Sequence, residues 1–284
     1  FIENIVHIYA TKRPLASGRK PERESRILKV RRKAGICMRL FITGNSSGLG
    51  RGFSAAALAR GWEVRGCSRR GCDLHDVHDI QCDLGDFDAV PAALGKLLAG
   101  VERLDLVILN AGILGGIKPM RDTSLEELRH SMDINVWANK VILDWLLEAG
   151  IDIDQIVGIS SGAAVLGNKG WNGYAISKAA LNMLLRLYSH EFPHTHISAI
   201  APGLIDTAMM DYLCEEPDPG EYPALARIRA ARGTDTMPGP HEAAERVLEV
   251  IHRLKEFDSG SFVDIRQLIA PEEYAALMQA RQPR

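Results

Sequence analysis

Residues 38–50 read Met38-Arg-Leu-Phe-Ile-Thr43-Gly44-Asn45-Ser46-Ser47-Gly48-Leu49-Gly50. A short β-rich run ends in a turn holding three glycines, and an Ala-rich stretch follows it. Glycine lets a backbone turn tightly and approach a pyrophosphate, whose charge is favoured at the amide-rich start of a helix. Set between a strand and a helix, such a turn predicts a dinucleotide-binding βα unit.

The same alternation continues along the chain. Strands are expected at Arg39–Thr43, Glu63–Cys67, Asp79–Cys82, Asp105–Leu109, Gln155–Ile159, His196–Ile200 and Ser261–Ile265. Segments such as Ala55–Arg60, Ala89–Leu98 and Ala175–Tyr188 read as the crossover helices that parallel strands need. The fold class predicted is therefore α/β, a single Rossmann-type doubly wound domain whose seven-stranded parallel sheet is flanked by helices. Thr123-Ser124-Leu125-Glu126 reads as a capping box opening a further helix. The domain is expected over residues 38–270, with a C-terminal tail at 271–284. Residues 208–240, rich in Pro and Gly, follow the sixth strand at the ligand-binding side of the sheet and are expected to form an irregular substrate lid.

Bulk composition narrows the partners. A net charge of -2 supplies no basic field, so neither nucleic acid nor an anionic membrane is expected. Residues 1–37 differ, with ten Lys and Arg against three acids, and the first methionine is Met38. They are expected to be a disordered or non-native extension without function. The five cysteines contain no C-x-x-C pair, which indicates neither a disulfide framework nor a zinc site. No metal is expected, and His75, His78, His194 and His196 receive no role. No apolar run approaches the roughly 20 residues that span a bilayer, and no secretory leader is read. A reducing cytoplasm is the expected location.

The glycine spacing is G-x-x-x-G-x-G, and four further stretches accompany it: Asn110-Ala111-Gly112, Asp133-Ile134-Asn135-Val136, Tyr174-Ala-Ile-Ser-Lys178, and Pro202-Gly203 ahead of Thr207. In that order and spacing the chain resembles the short-chain dehydrogenase/reductase family. Tyr174 and Lys178 are four apart, so on a helix they share a face. An ammonium near a phenol favours the phenolate and is expected to lower the Tyr174 pKa, making it usable as acid or base. Ser161 lies 13 residues before Tyr174, the family's separation between its serine and tyrosine. Ser160 is the competing assignment. No His/Asp pair is placed to activate a serine nucleophile, so a hydrolase is not indicated. The resemblance implies that Ser161 polarises a substrate oxygen, Tyr174 exchanges its proton, Lys178 also holds the nicotinamide ribose, and Asn135 supports a proton-relay water.

The nucleotide is read at the end of the second strand, where an acid would grip the ribose 2'-hydroxyl of NAD. That position is Ser68, followed by Arg69 and Arg70. Guanidinium groups match a 2'-phosphate in geometry and charge, so NADP(H) is the expected cofactor. The resemblance implies pyrophosphate and ribose contacts from Gly44, Ser46, Ser47, Gly48, Leu49 and Gly50. It places Asp83 and Leu84 at the adenine, Asn110, Ala111 and Gly112 along the ribose, and Pro202, Gly203, Ile205 and Thr207 at the carboxamide. Leu114, Leu166, Trp171, Met209, Met210, Tyr212 and Leu213 are the residues expected around the substrate, implying an apolar carbonyl or alcohol compound. A carbonyl, diketone or sepiapterin-type reductase is the favoured reading. A 3-oxoacyl thioester reductase, a sugar or steroid dehydrogenase, and a non-catalytic NADP(H)-sensing regulator stand as alternatives. Only twelve residues separate Ser161 from Tyr174, without the insertion of monomeric relatives, so a homodimer or homotetramer through the Asn135 and Tyr174 helices is expected.

Overall fold

The computed structural model of the protein describes residues 37–272 together with Tyr274 and Ala275. The expected extension at 1–37, apart from Cys37, and most of the expected tail lie outside the described residues. The described strands are β1 (Arg39–Thr43), β2 (Glu63–Ser68), β3 (Val77–Gln81), β4 (Arg103–Leu104), β5 (Leu106–Leu109), β6 (Asp152–Ile153), β7 (Gln155–Ile159), β8 (His196–Ala201) and β9 (Ser261–Asp264). Seven of them form one parallel sheet in the order β3-β2-β1-β5-β7-β8-β9, and β4 pairs with β6 in a separate two-residue ladder. The strand order reverses between β1 and β5, the crevice where doubly wound sheets take ligands.

All residues of β5 and β7 are buried, as expected of strands covered on both faces, and this is why they read as continuous apolar runs. The helices of eight or more residues are α1 (Gly48–Ala59), α2 (Ala89–Leu97), α3 (Leu125–Met132), α4 (Ala138–Glu148), α5 (Asn172–Tyr188), α6 (Ala208–Glu215), α7 (Ala224–Ala231) and α8 (Pro240–Val250). Phe53 and Ala57 of α1 and Ala244 and Val247 of α8 pack on one face of the sheet. Leu94 of α2, Ile142 and Leu146 of α4 and Leu181 and Leu185 of α5 pack on the other. The two helices of the first face approach closely because Gly52 lacks a side chain: a Cβ there would stand 2.7 Å from the carbonyl carbon of Pro240.

Three expectations need correction. Strand β3 begins at Val77 rather than Asp79, because it pairs along its length with β2 from Val64 to Ser68. The capping box is one residue later than read: Ser124 accepts from the Glu127 amide while the Glu127 carboxylate accepts from the Ser124 amide. The region 208–240 is not irregular, since it contains α6 and α7. Its prolines and glycines fall outside those helices, with Pro223 capping α7 and Pro240 in the first turn of α8, where a missing N–H costs nothing. These helices build a third apolar cluster, with Leu213, Leu225 and Ile228 packed on Trp171 and Ile117. Among the described residues no helix is long and apolar enough to cross a membrane, and no group of His, Cys, Asp and Glu is arranged to hold a metal ion.

Candidate active site

A cleft of about 950 Å³ runs along the carboxyl ends of the strands. Its first wall is the turn after β1. Gly44 has φ +70°, and a Cβ on it would lie 2.8 Å from the Ala111 Cα. The ends of β1 and β5 are tied together: Thr43 Oγ1 accepts from the amides of Asn110 (3.0 Å) and Ala111 (3.1 Å), and Asn110 Nδ2 donates to the Thr43 and Gly44 carbonyls. Gly50 does not line the cleft; a Cβ there would lie 2.5 Å from Asn110 Nδ2, so its role is to let α1 start against this junction. Ser47, the N-cap of α1, lines the cleft and makes no side-chain capping bond, so the first-turn amides lack that partner.

At the end of β2, Ser68 is buried against the same cleft, and its Oγ has no partner. Arg69 and Arg70 are exposed on the rim, and Arg70 Nη2 donates to Ser47 Oγ at 2.9 Å. Asp83 and Leu84 line the adjacent wall, as do Ala111 and Gly112. An uncapped helix start, glycines without room for a side chain, and an orphaned buried hydroxyl beside two guanidinium groups together fit a dinucleotide phosphate and ribose.

At the opposite end three side chains converge. Ser161 stands beside the Tyr174 phenol, near enough to favour its ionised form, and the Lys178 ammonium stands 5.7 Å from the centre of the tyrosine ring. Lys178 is only 3% exposed and donates to the Ile159 carbonyl at 2.7 Å. Burial drives its pKa down to about 8. The phenol behaves differently from expectation: burial pushes the Tyr174 pKa up, and the nearby Ser161 hydroxyl only partly offsets this. In the chain by itself Tyr174 is therefore a proton-carrying acid at neutral pH. Ser160, the competing serine, is buried with its Oγ on the Lys178 carbonyl at 3.4 Å, away from the phenol.

Asn135 lies behind the cleft rather than in it. It sits in a π-helical turn over Asp133–Trp137, fully buried. Its side chain holds both the amide and the carbonyl of Ile113 and donates to Ser177 Oγ at 2.9 Å. Ser177 in turn donates to the Tyr174 carbonyl. Asn135 thus braces the loop after β5 at Ile113 and the tyrosine helix, and Asn139 Nδ2 covers the Asn135 carbonyl at 2.9 Å.

Pro202, Gly203, Ile205 and Thr207 line the cleft after β8, with Leu114, Leu166, Trp171, Met209, Met210 and Leu213 beyond them. Tyr212, expected there, faces elsewhere. Its hydroxyl accepts from the Ile117 amide at 2.9 Å, as the geometry of α6 turns it toward that loop. Sequence reading missed Arg227, Arg246 and Asn168, which also line the cleft. Arg227 lies on α7, Arg246 on α8 and Asn168 in the turn before α5, where no motif marks them.

The sequence pattern described as short chain dehydrogenase matches residues 39–218. The chain belongs to the short-chain dehydrogenase/reductase family, an oxidoreductase family that works with nicotinamide dinucleotides. It is 28% identical over 242 residues to the benzil reductase ((S)-benzoin forming) of Bacillus subtilis strain 168, covering 80% of this chain and 98% of that one. It is 27% identical over 195 residues to the 2-dehydro-3-deoxy-L-rhamnonate dehydrogenase (NAD(+)) of a Sphingomonas species, covering 64% and 77%. In three dimensions it matches the KRED1-Pglu enzyme with a TM-score of 0.70 at 22% identity, covering 80% of this chain and all of the other.

Proposed function

We propose that this chain is an NADP(H)-dependent carbonyl reductase whose substrates are apolar, aromatic ketones or diketones. The observation that carries the reading is the contact of Ser161 with Tyr174 beside the buried Lys178, at the far end of a cleft whose other end carries Ser68, Arg69 and Arg70. When bound, the nicotinamide supplies hydride to a carbonyl carbon or takes it from an alcohol carbon. The Ser161 hydroxyl donates to the substrate oxygen and orients it, and Tyr174 delivers its phenolic proton to that oxygen. Lys178 holds the ribose and steadies the phenolate left behind. Gly44, Ser46, Gly48 and Leu49 hold the pyrophosphate, Asp83 and Leu84 the adenine, and Thr207 the carboxamide. Similarity to a benzil reductase and the apolar wall of Leu114, Trp171, Met209 and Met210 support the substrate class. Helices α6 and α7 act as the lid over it.

The test follows oxidation of NADPH and NADH against aromatic diketones, aldehydes, pterins, sugars and acyl thioesters. Turnover with NADPH and a diketone is expected. The double variant Arg69→Ala/Arg70→Ala should bind NADPH about 10- to 100-fold more weakly, with NADH within about threefold, because only the 2'-phosphate loses its partners. Preference of the natural sequence for NADH would overturn the cofactor assignment.

The same reading includes a homodimer. Ile176, Met183 and Leu187 of α5 are 45%, 55% and 56% exposed, and Trp137 on the neighbouring π turn is 42% exposed. Such a face is costly to leave in water. Light scattering is expected to give at least twice the monomer mass, and a monomer would refute this.

A further inference from the structure

Two arginines on a rim are poor discriminators unless something fixes the backbone beneath them. Long side chains on a loose loop lose part of each contact to ordering. In this chain the segment 68–72 is fixed from the edge strand β3. Alternation along that strand places Val77, Asp79 and Gln81 on one face. Val77 packs on the apolar cluster under α1, yet two residues on, a carboxylate takes the same face.

Asp79 makes two hydrogen bonds in opposite directions. Oδ1 accepts from Asn45 Nδ2 at 2.7 Å, inside the glycine-rich turn. Oδ2 accepts from the Cys72 amide at 2.9 Å, at the end of the arginine segment. Gln81 adds a third tie, donating from Nε2 to the Arg70 carbonyl at 3.2 Å. Asn45 is fully buried, and Gly66 makes the space for it: a Cβ on Gly66 would lie 2.6 Å from Asn45 Cγ. Ser47 of the same turn receives Arg70 Nη2. The pyrophosphate turn and the 2'-phosphate segment are therefore joined through one carboxylate, and bonds to a charged acceptor are the stronger kind.

We propose that Asp79 is a positioning residue that sets the preference for NADPH over NADH by locking the Arg69–Arg70 segment to the glycine-rich turn. This rests on the cofactor reading above. Asp79 touches no nucleotide in the scheme and acts through Cys72 and Asn45, with Gln81 as a weaker second support.

The experiment measures dissociation constants of NADPH and NADH, by nicotinamide fluorescence, for the full chain and its variants. Asp79→Ala is expected to weaken NADPH by about tenfold and NADH by about twofold or less, since only the 2'-phosphate depends on the locked segment. In the Arg69→Ala/Arg70→Ala background the same change should have almost no further effect on NADPH, the mark of a residue acting through those arginines. If Asp79→Ala does not fold, Gln81→Met at the exposed end of the strand should shift the ratio the same way by about twofold to threefold. Equal losses for both nucleotides, tighter NADPH binding, or an unchanged ratio in a foldable variant would overturn the inference while leaving the cofactor reading intact. A natural chain without NADPH preference would overturn both.

Discussion

Tyr174→Phe is expected to lower kcat for carbonyl reduction by about 10²- to 10⁴-fold, the range for removal of a general acid, with NADPH affinity within about threefold of the natural chain. The ring stays, so its packing on the third apolar cluster stays; only the Oη beside Ser161 is lost. Burial raises the phenol, so Tyr174 holds its proton through neutral pH; in the proposed mechanism that proton goes to the substrate oxygen. Reduction should then fall as pH rises and the acid is lost, whereas alcohol oxidation should rise over the same range. Steady-state rates in both directions, with binding measured separately, check this. A variant that keeps a tenth of the natural kcat would place the proton donor elsewhere.

How much of this was legible beforehand depends on how local each cause is. The seven strands of the main sheet lie within about two residues of their expected places, since parallel strands buried on both faces are apolar without interruption. The β4–β6 pair escaped, because two residues carry no periodicity. Helices α6 and α7 escaped for a different reason: Pro217, Pro219 and Pro223 crowd the linker between them and conceal two eight-residue helices. Motif spacing brought Ser161, Tyr174 and Lys178 to one point. What spacing does not carry is the direction of a side chain after packing. Tyr212 turned to the Ile117 amide, and Asn135 became a brace behind the cleft. The raised phenol was hidden for the same reason, as burial is a property of the assembled fold. Asp79 and Asn45 are 34 positions apart, and no pattern in either neighbourhood announces the bond between them.

Lys178→Met is expected to separate function from stability. The ammonium is 3% exposed with one hydrogen bond, to the Ile159 carbonyl, and burial lowers its pKa to about 8. An unfolded lysine keeps its proton to about pH 10.4. Between those values the unfolded chain binds more protons than the folded one, so stability of the natural protein should rise with pH across this window. Below pH 8 the folded chain carries the whole cost of burying the charge, on the order of 3 kcal/mol for a shift of this size. Methionine removes that cost with a side chain of similar length, but leaves the Ile159 carbonyl without its donor, a loss of about 1–2 kcal/mol. The cofactor-free variant should therefore be more stable than the natural chain by about 1–2 kcal/mol at pH 7. The advantage should vanish between about pH 9 and 10 and reverse above it, because the burial cost fades while the Ile159 carbonyl still lacks its donor. Its turnover should fall by about 10²-fold or more, because the charge that steadies the tyrosinate in the proposed mechanism is gone. Urea unfolding at several pH values, together with turnover at pH 7, measures both halves. A variant less stable at pH 7, or a difference that does not change with pH, would mean that the ammonium is not held at a cost, and that the active site stores no stability to be recovered there.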